Sequence, residues 1–128
     1  MTRDELASEW LHHAAEDYRA AAHLTGLRPQ PSEIICFHSQ QAAEKSLKAM
    51  LVASNIRPPR THDLEELSRL VGSAATNPGL EEAVLLLNPY SVVTRYPNPM
   101  DFSEGDAQDA IAAARVVLEA ARREVEST

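Results

Sequence analysis

The sequence predicts an all-α fold, an up-and-down bundle of four main helices plus one short helix. Three observations carry this expectation. Alanine and leucine dominate a composition that is 44% hydrophobic, and both residues favour helix. Four glycines in 128 residues are few for the tight turns that an all-β chain needs. Apolar side chains recur every three or four positions along most of the chain, which is the period of one helix face. The chain is read as a single domain, 1–128: long enough to bury a core without disulfides or metals, too short for two ordinary domains. No internal repeat, low-complexity tract or linker divides it.

Each element follows from its own signals. Over residues 4–25 the apolar groups Leu6, Trp10, Ala14, Ala21 and Leu24 stand among charged ones, a first amphipathic helix that Gly26 ends. A loop over 27–30 leads to Pro31, read as a first-turn proline, and to a second helix over 32–54. Pro58 and Pro59 prevent its continuation. Asp63 and Glu66 have the spacing of a capping box. Leu64, Leu67, Leu70 and Val71 then supply the stripe of a third helix, with Gly72 as its stop. Residues 80–87 form the short, strongly apolar fourth helix, which Pro89 terminates. Residues 88–102 hold three prolines and read as a long irregular segment, of a kind that is uncommon in compact domains and often functional. Ser103 starts the last helix, where Ala107, Ala110, Ile111, Ala114, Leu118, Ala121 and Val125 keep the three–four spacing. Alanines at 14 and 21 and at 107, 114 and 121 let two helix axes approach closely, either within one chain or across a dimer interface.

Charge and cysteine content narrow the function classes. A net charge of −7, from 19 acidic and 12 basic residues, argues against general DNA binding, which needs many clustered cations to displace counterions. The one cysteine, Cys36, excludes an internal disulfide and a cysteine-based zinc site. No zinc-ligand spacing of histidines occurs, so no metal and no cofactor are expected. The first residues carry acids and no apolar run of signal-peptide length, and no stretch has the length and apolarity of a membrane span. A cytoplasmic protein without membrane contact is the expectation.

The second helix carries the most chemistry. Ile35, Cys36, Ala42, Ala43, Leu47 and Met50 share a broad apolar arc, while His38, Gln41, Lys45 and Lys48 share another face. Two readings stand for that polar stripe, a solvated face or a binding face. From Lys45 to His62 there is no Asp or Glu, yet Lys45, Lys48, Arg57 and Arg60 are basic, a local positive field suited to phosphate or an acidic partner. Between Ala83 and Met100 the one charged residue is Arg95, followed by Tyr96. A guanidinium beside an aromatic ring can clamp a phosphate and stack a base, or Arg95 can pair with a carboxylate of the last helix. His12 with Glu16, and His13 with Asp17, read as local pairs one turn apart. His62 stands just before a helix start, either as a general acid/base near neutral pH or as part of the cap. Cys36, on the apolar arc, reads as buried filler.

These residues fall in blocks that resemble a known family. Residues 37–49 read Phe-His-Ser-Gln-Gln-Ala-Ala-Glu-Lys-Ser-Leu-Lys-Ala; Thr61-His62-Asp63-Leu64 and Thr94-Arg95-Tyr96-Pro97 follow in order. Together with Ala14-Ala15-Glu16-Asp17-Tyr18 and the alanine-rich last helix, they resemble the HEPN domains (higher eukaryotes and prokaryotes nucleotide-binding) over nearly the whole chain. The resemblance implies a helical bundle that dimerises, with polar residues near the dimer cleft. It also implies a minimal nucleotidyltransferase as partner, the two forming a toxin–antitoxin pair in which the HEPN protein is the toxin. Many HEPN domains are metal-independent ribonucleases with an Arg, four to six spacer residues, then a His; others are binding modules. Here Arg95 has no His after it, and His38 has no Arg upstream at that distance. Arg57 and His62 match formally, but across Pro58 and Pro59 in an inter-helix loop, whereas the family motif belongs to a later part of the bundle.

The leading expectation is therefore a dimeric binding module for a nucleotide or a nucleotidyltransferase. His38, Gln41, Lys45, Lys48, His62, Arg95 and Tyr96 would form its site. The alternative is a metal-independent endoribonuclease toxin, with His62 as general acid/base and Arg95 or, less favoured, Arg57 stabilising the transition-state charge. A second alternative is a structural dimer with no small ligand.

Overall fold

Helix starts and stops lie where local chemistry puts them. The computed structural model describes residues 1–72, 77–91 and 101–127. Its helices are α1 (Arg3–Leu24), α2 (Ser32–Ala53), α3 (Leu64–Val71), α4 (Leu80–Leu87) and α5 (Glu104–Glu126), with a 3-10 turn, Asn88–Ser91, after α4. Thr2 caps α1 by accepting the Glu5 amide, and Asp4 and Glu5 sit at the positive end of its dipole. Asp63 caps α3, accepting the amides of Glu65 and Glu66. Ser103 and Asp106 form a reciprocal capping box on α5. Gly72, at φ 68°, closes α3 in the left-handed conformation that a side chain disfavours.

The end of α2 departs from expectation. Pro58 and Pro59 do not stop it, because a complete Schellman motif has already done so. Asn55 adopts φ 62°; its amide bonds the Val52 carbonyl at 2.9 Å and the Ile56 amide bonds the Leu51 carbonyl at 2.8 Å. Pro31 is likewise the cap residue before α2, one place outside the first turn. The segment expected to be irregular over 88–102 begins with the 3-10 turn, and Pro89 lies inside that turn rather than at the end of α4. Residues 92–100 lie outside the described residues. α3, at eight residues, is no longer than α4.

α2 is the central helix, in contact with α1, α3, α4, α5 and the 3-10 turn. Its apolar arc is wholly inside: Ile35, Cys36, Ala42, Ala43, Leu47 and Met50 are all inaccessible to solvent. Leu64 and Leu67 from α3, Leu80 and Leu87 from α4, and Val117 from α5 complete the main core around it. Burying each such leucine stabilises the fold by roughly 1.5–3 kcal/mol. The alanine stripes meet within the chain. Ala14, Ala21, Ala107, Ala114 and Ala121 are fully buried in the single protomer, with Ala21 and Ala107 packed in one cluster beside Ile35. Among the described residues no helix is long and apolar enough to cross a membrane.

Candidate functional site

The polar stripe of α2 is not left to solvent. It is built into two clusters of the same design, each a carboxylate shared between an imidazole and an ammonium. In the first, Asp17 reaches across from α1: its Oδ1 meets His38 Nδ1 at 3.0 Å and its Oδ2 accepts from Lys45 Nζ. In the second, Glu44 of α2 meets His62 Nδ1 with Oε1 at 2.9 Å and accepts from Lys48 Nζ with Oε2 at 3.1 Å. Two side-chain amides extend the second cluster. Gln41 Nε2 donates to Gln40 Oε1 at 2.8 Å, while Gln40 Nε2 donates to Glu44 Oε1 and to the His62 carbonyl, both at 3.4 Å. Lys48 also lies over the Trp10 ring, 5.4 Å from its centroid.

The second cluster has the more telling geometry. The Glu44 side chain is 5% exposed, whereas that of His62 is 53% exposed. A carboxylate only accepts hydrogen bonds, so the bond to Glu44 places the proton of neutral His62 on Nδ1 and leaves Nε2 bare. A buried carboxylate thus orients an imidazole whose other nitrogen is available to a ligand. His62 is held in this place by its backbone as well. Thr61 turns toward Pro59 through its amide, and its hydroxyl accepts the Asp63 amide at 3.1 Å. Asp63 then caps α3, helped by Asn88, whose Oδ1 accepts the Leu64 amide at 2.8 Å and whose Nδ2 donates to Asp63 Oδ1 at 3.1 Å.

The other candidates distribute as follows. Lys48 and His62 meet on Glu44, with Gln41 attached to them through Gln40, while His38 and Lys45 meet on Asp17 in the separate first cluster. Arg57 is exposed and lines a shallow groove with Arg3, Leu6, Val52 and Ile56; no hydrogen bond or ion pair joins it to His62. Arg60 is exposed on the same connection. Arg95 and Tyr96 lie outside the described residues. His12 pairs with Glu16 at 3.3 Å as its spacing suggests, but His13 turns to Glu9 and Glu16 rather than Asp17. Asp17 and Glu44 are the members that sequence reasoning missed, and Gln40 and Asn88 are the amides it missed. The one available signal was position: Asp17 and Glu44 both sit inside the quoted blocks. Among the described residues no group of three His, Cys, Asp or Glu side chains could hold a metal ion.

The HEPN domain profile matches residues 7–124, so nearly all of the chain is accounted for by one family. The chain belongs to the HEPN domain family. Two solved structures are similar to it. One is ST0689, an archaeal HEPN homologue, at 26% identity with a TM-score of 0.73, covering 98% of this chain and 99% of that one. The other is TT1696 from Thermus thermophilus, at 24% identity with a TM-score of 0.75, covering 97% and 99%; it bears on the fold alone. No curated protein matches. The all-helical HEPN bundle therefore carries the two carboxylate–imidazole–lysine clusters along its central helix.

Proposed function

We propose that this HEPN chain is a nucleotide-binding module that works as a homodimer and as the partner of a minimal nucleotidyltransferase in a toxin–antitoxin pair. The observation that carries the reading is the exposed His62 imidazole, held through Nδ1 by a buried Glu44. Lys48 balances Glu44 and Lys45 balances Asp17, so neither carboxylate repels an approaching phosphate, and each cluster gains a net positive charge when its histidine is protonated. Arg57 and Arg60 add positive charge on the connection that bears His62, and Arg95 and Tyr96 supply the phosphate clamp and the base-stacking ring. The dimer and the nucleotidyltransferase rest on family membership.

Binding of adenosine 5′-triphosphate, followed by calorimetry, tests the site. Wild type is expected to bind, and His62→Ala and Arg95→Ala to lose binding with an unchanged far-UV spectrum; binding that survives both changes sinks the site. Light scattering on a sizing column reads the dimer directly.

A second reading, a metal-independent ribonuclease, is favoured by the bare Nε2 of His62, the atom a general base uses to activate the RNA 2′-hydroxyl. RNA cleavage in excess chelator by wild type, abolished in His62→Ala, would establish it. Intact RNA with both proteins leaves the binding module.

A further inference from the structure

Asn88 occupies an unusual place for a residue that follows a helix. It is the C-cap of α4 and the first residue of the 3-10 turn, yet its side chain serves the opposite end of another helix. Its Oδ1 accepts the Leu64 amide at 2.8 Å, and its Nδ2 donates to Asp63 Oδ1 at 3.1 Å and to Glu65 Oε1 at 3.4 Å. The Asp63 side chain in turn accepts the amides of Glu65 and Glu66. The first three amides of α3 are therefore satisfied by two side chains from different parts of the chain, one of them Asn88.

The residue immediately before that cap is His62. Its carbonyl is tied to Gln40 and its ring to Glu44, both on α2. His62 is thus strung between α2 on one side and the Asp63–Asn88 cap on the other. α3 has eight residues, too few to hold its own first turn without tertiary support. Leu64 is fully buried and its amide donates to Asn88 Oδ1, so removing Asn88 takes away the acceptor of that amide. Fraying of that turn moves Asp63, and with it the backbone that presents the His62 ring to Glu44.

We infer that Asn88 is a positioning residue for His62, locking the α3 cap so that the imidazole stays on Glu44 with Nε2 bare. The chemistry requires an amide. An aspartate at 88 keeps the acceptor for Leu64 but sets a carboxylate against those of Asp63 and Glu65, while an aliphatic residue of the same size supplies neither group. The consequence for ligand binding rests on the nucleotide-site reading above; the geometry of the ring does not.

The test uses full-length protein with 15N-labelled histidine and reads the tautomer of His62 from long-range 1H–15N correlations. Wild type is expected to show His62 with its proton on Nδ1. Asn88→Ala and Asn88→Asp are expected to give a mixture of tautomers, and Asn88→Gln, which keeps both groups, to restore the wild-type pattern in part. Ser103→Ala, which removes the cap of α5 instead, is the control for lost stability and is expected to leave His62 unchanged. Asn88→Asp, which keeps the acceptor for the Leu64 amide, also covers the case in which Asn88→Ala does not fold. Adenosine 5′-triphosphate affinity is measured on the same samples, with a loss of about tenfold expected in Asn88→Ala. His62 signals of folded Asn88→Ala and Asn88→Asp that superimpose on wild type overturn the inference. Failure of wild type to bind the nucleotide removes the proposed function and leaves the tautomer result to decide the role of Asn88 alone.

Discussion

Cys36 and Tyr90 show what a single pair of side chains contributes beyond packing. Cys36 is inaccessible on the inner arc of α2, and Tyr90, in the 3-10 turn, packs against the same core cluster. Burial first, and then the Asp106 carboxylate, push the thiol up to about 11 from an ordinary 9.0, against the opposing effect of the Tyr90 side chain. The Tyr90 phenol is itself pushed up to about 12, chiefly by burial. Since the thiolate is the reactive form, about one thiol in a thousand is ionised at pH 8. Iodoacetamide is therefore expected to leave native protein unmodified over hours at pH 8 and to alkylate it within minutes in guanidinium, as mass spectrometry would read. The linkage has a definite sign. A folded-state pKa above the unfolded one favours the neutral thiol, so its contribution is complete below pH 9 and is lost as pH rises toward about 11. The burial of Cys36 was legible from its place in the apolar arc. Its partner was not, because a contact between a helix and a distant turn leaves no periodic trace. The same holds for Asp17, which local spacing assigns to His13 and which the fold gives to His38 and Lys45.

At the scale of the element, α2 is both the centre of the core and the carrier of a nearly buried ion cluster. The side chains of Glu44 and Lys48 are 5% and 11% exposed, so their charges are stabilised by each other, by His62 and by Gln40 rather than by water. Removing one member leaves the other charge poorly compensated. Lys48→Met is expected to destabilise the fold by about 3 kcal/mol, whereas Lys48→Met combined with Glu44→Leu is expected to recover most of that loss, because an apolar pair avoids the desolvation cost. Urea denaturation of the two variants beside wild type measures both terms. A double variant as unstable as the single one would mean that Glu44 is held mainly for His62 and Gln40. The helix itself was legible over 32–54 from its apolar period, and the stripe His38, Gln41, Lys45, Lys48 was legible as a face. What covers that face was not, since Asp17 comes from α1 and His62 from beyond the helix end, and pairing between elements depends on how they dock. Its C-terminal stop was misread for a related reason: prolines announce themselves in a sequence, while the left-handed Asn55 of a Schellman motif looks like any loop residue.

The whole molecule closes around alanine. Placed on α1, α2 and α5, small side chains let the three long helices approach until Ala14, Ala21, Ala107, Ala114 and Ala121 are all inaccessible within one protomer. The sequence showed the stripes and the helical class, because periodicity and composition survive any arrangement of the bundle. It left open whether the stripes meet inside the chain or across a dimer, because the apolar pattern is the same in both. The fold decides for the inside, and this has a measurable consequence. Ala114→Leu adds three carbons where the helices have no room, and overpacking of that kind costs about 1–3 kcal/mol. The variant is expected to lower the melting temperature by the same amount at low and high protein concentration, because the lost contacts are intramolecular. A seam lying between protomers would instead make the loss depend on concentration, through the mass action that links folding to association. Scanning calorimetry of wild type and Ala114→Leu over a hundredfold range of concentration separates the two. A concentration-dependent difference between them would reopen the alanine face as a dimer interface and displace the intramolecular seam described above.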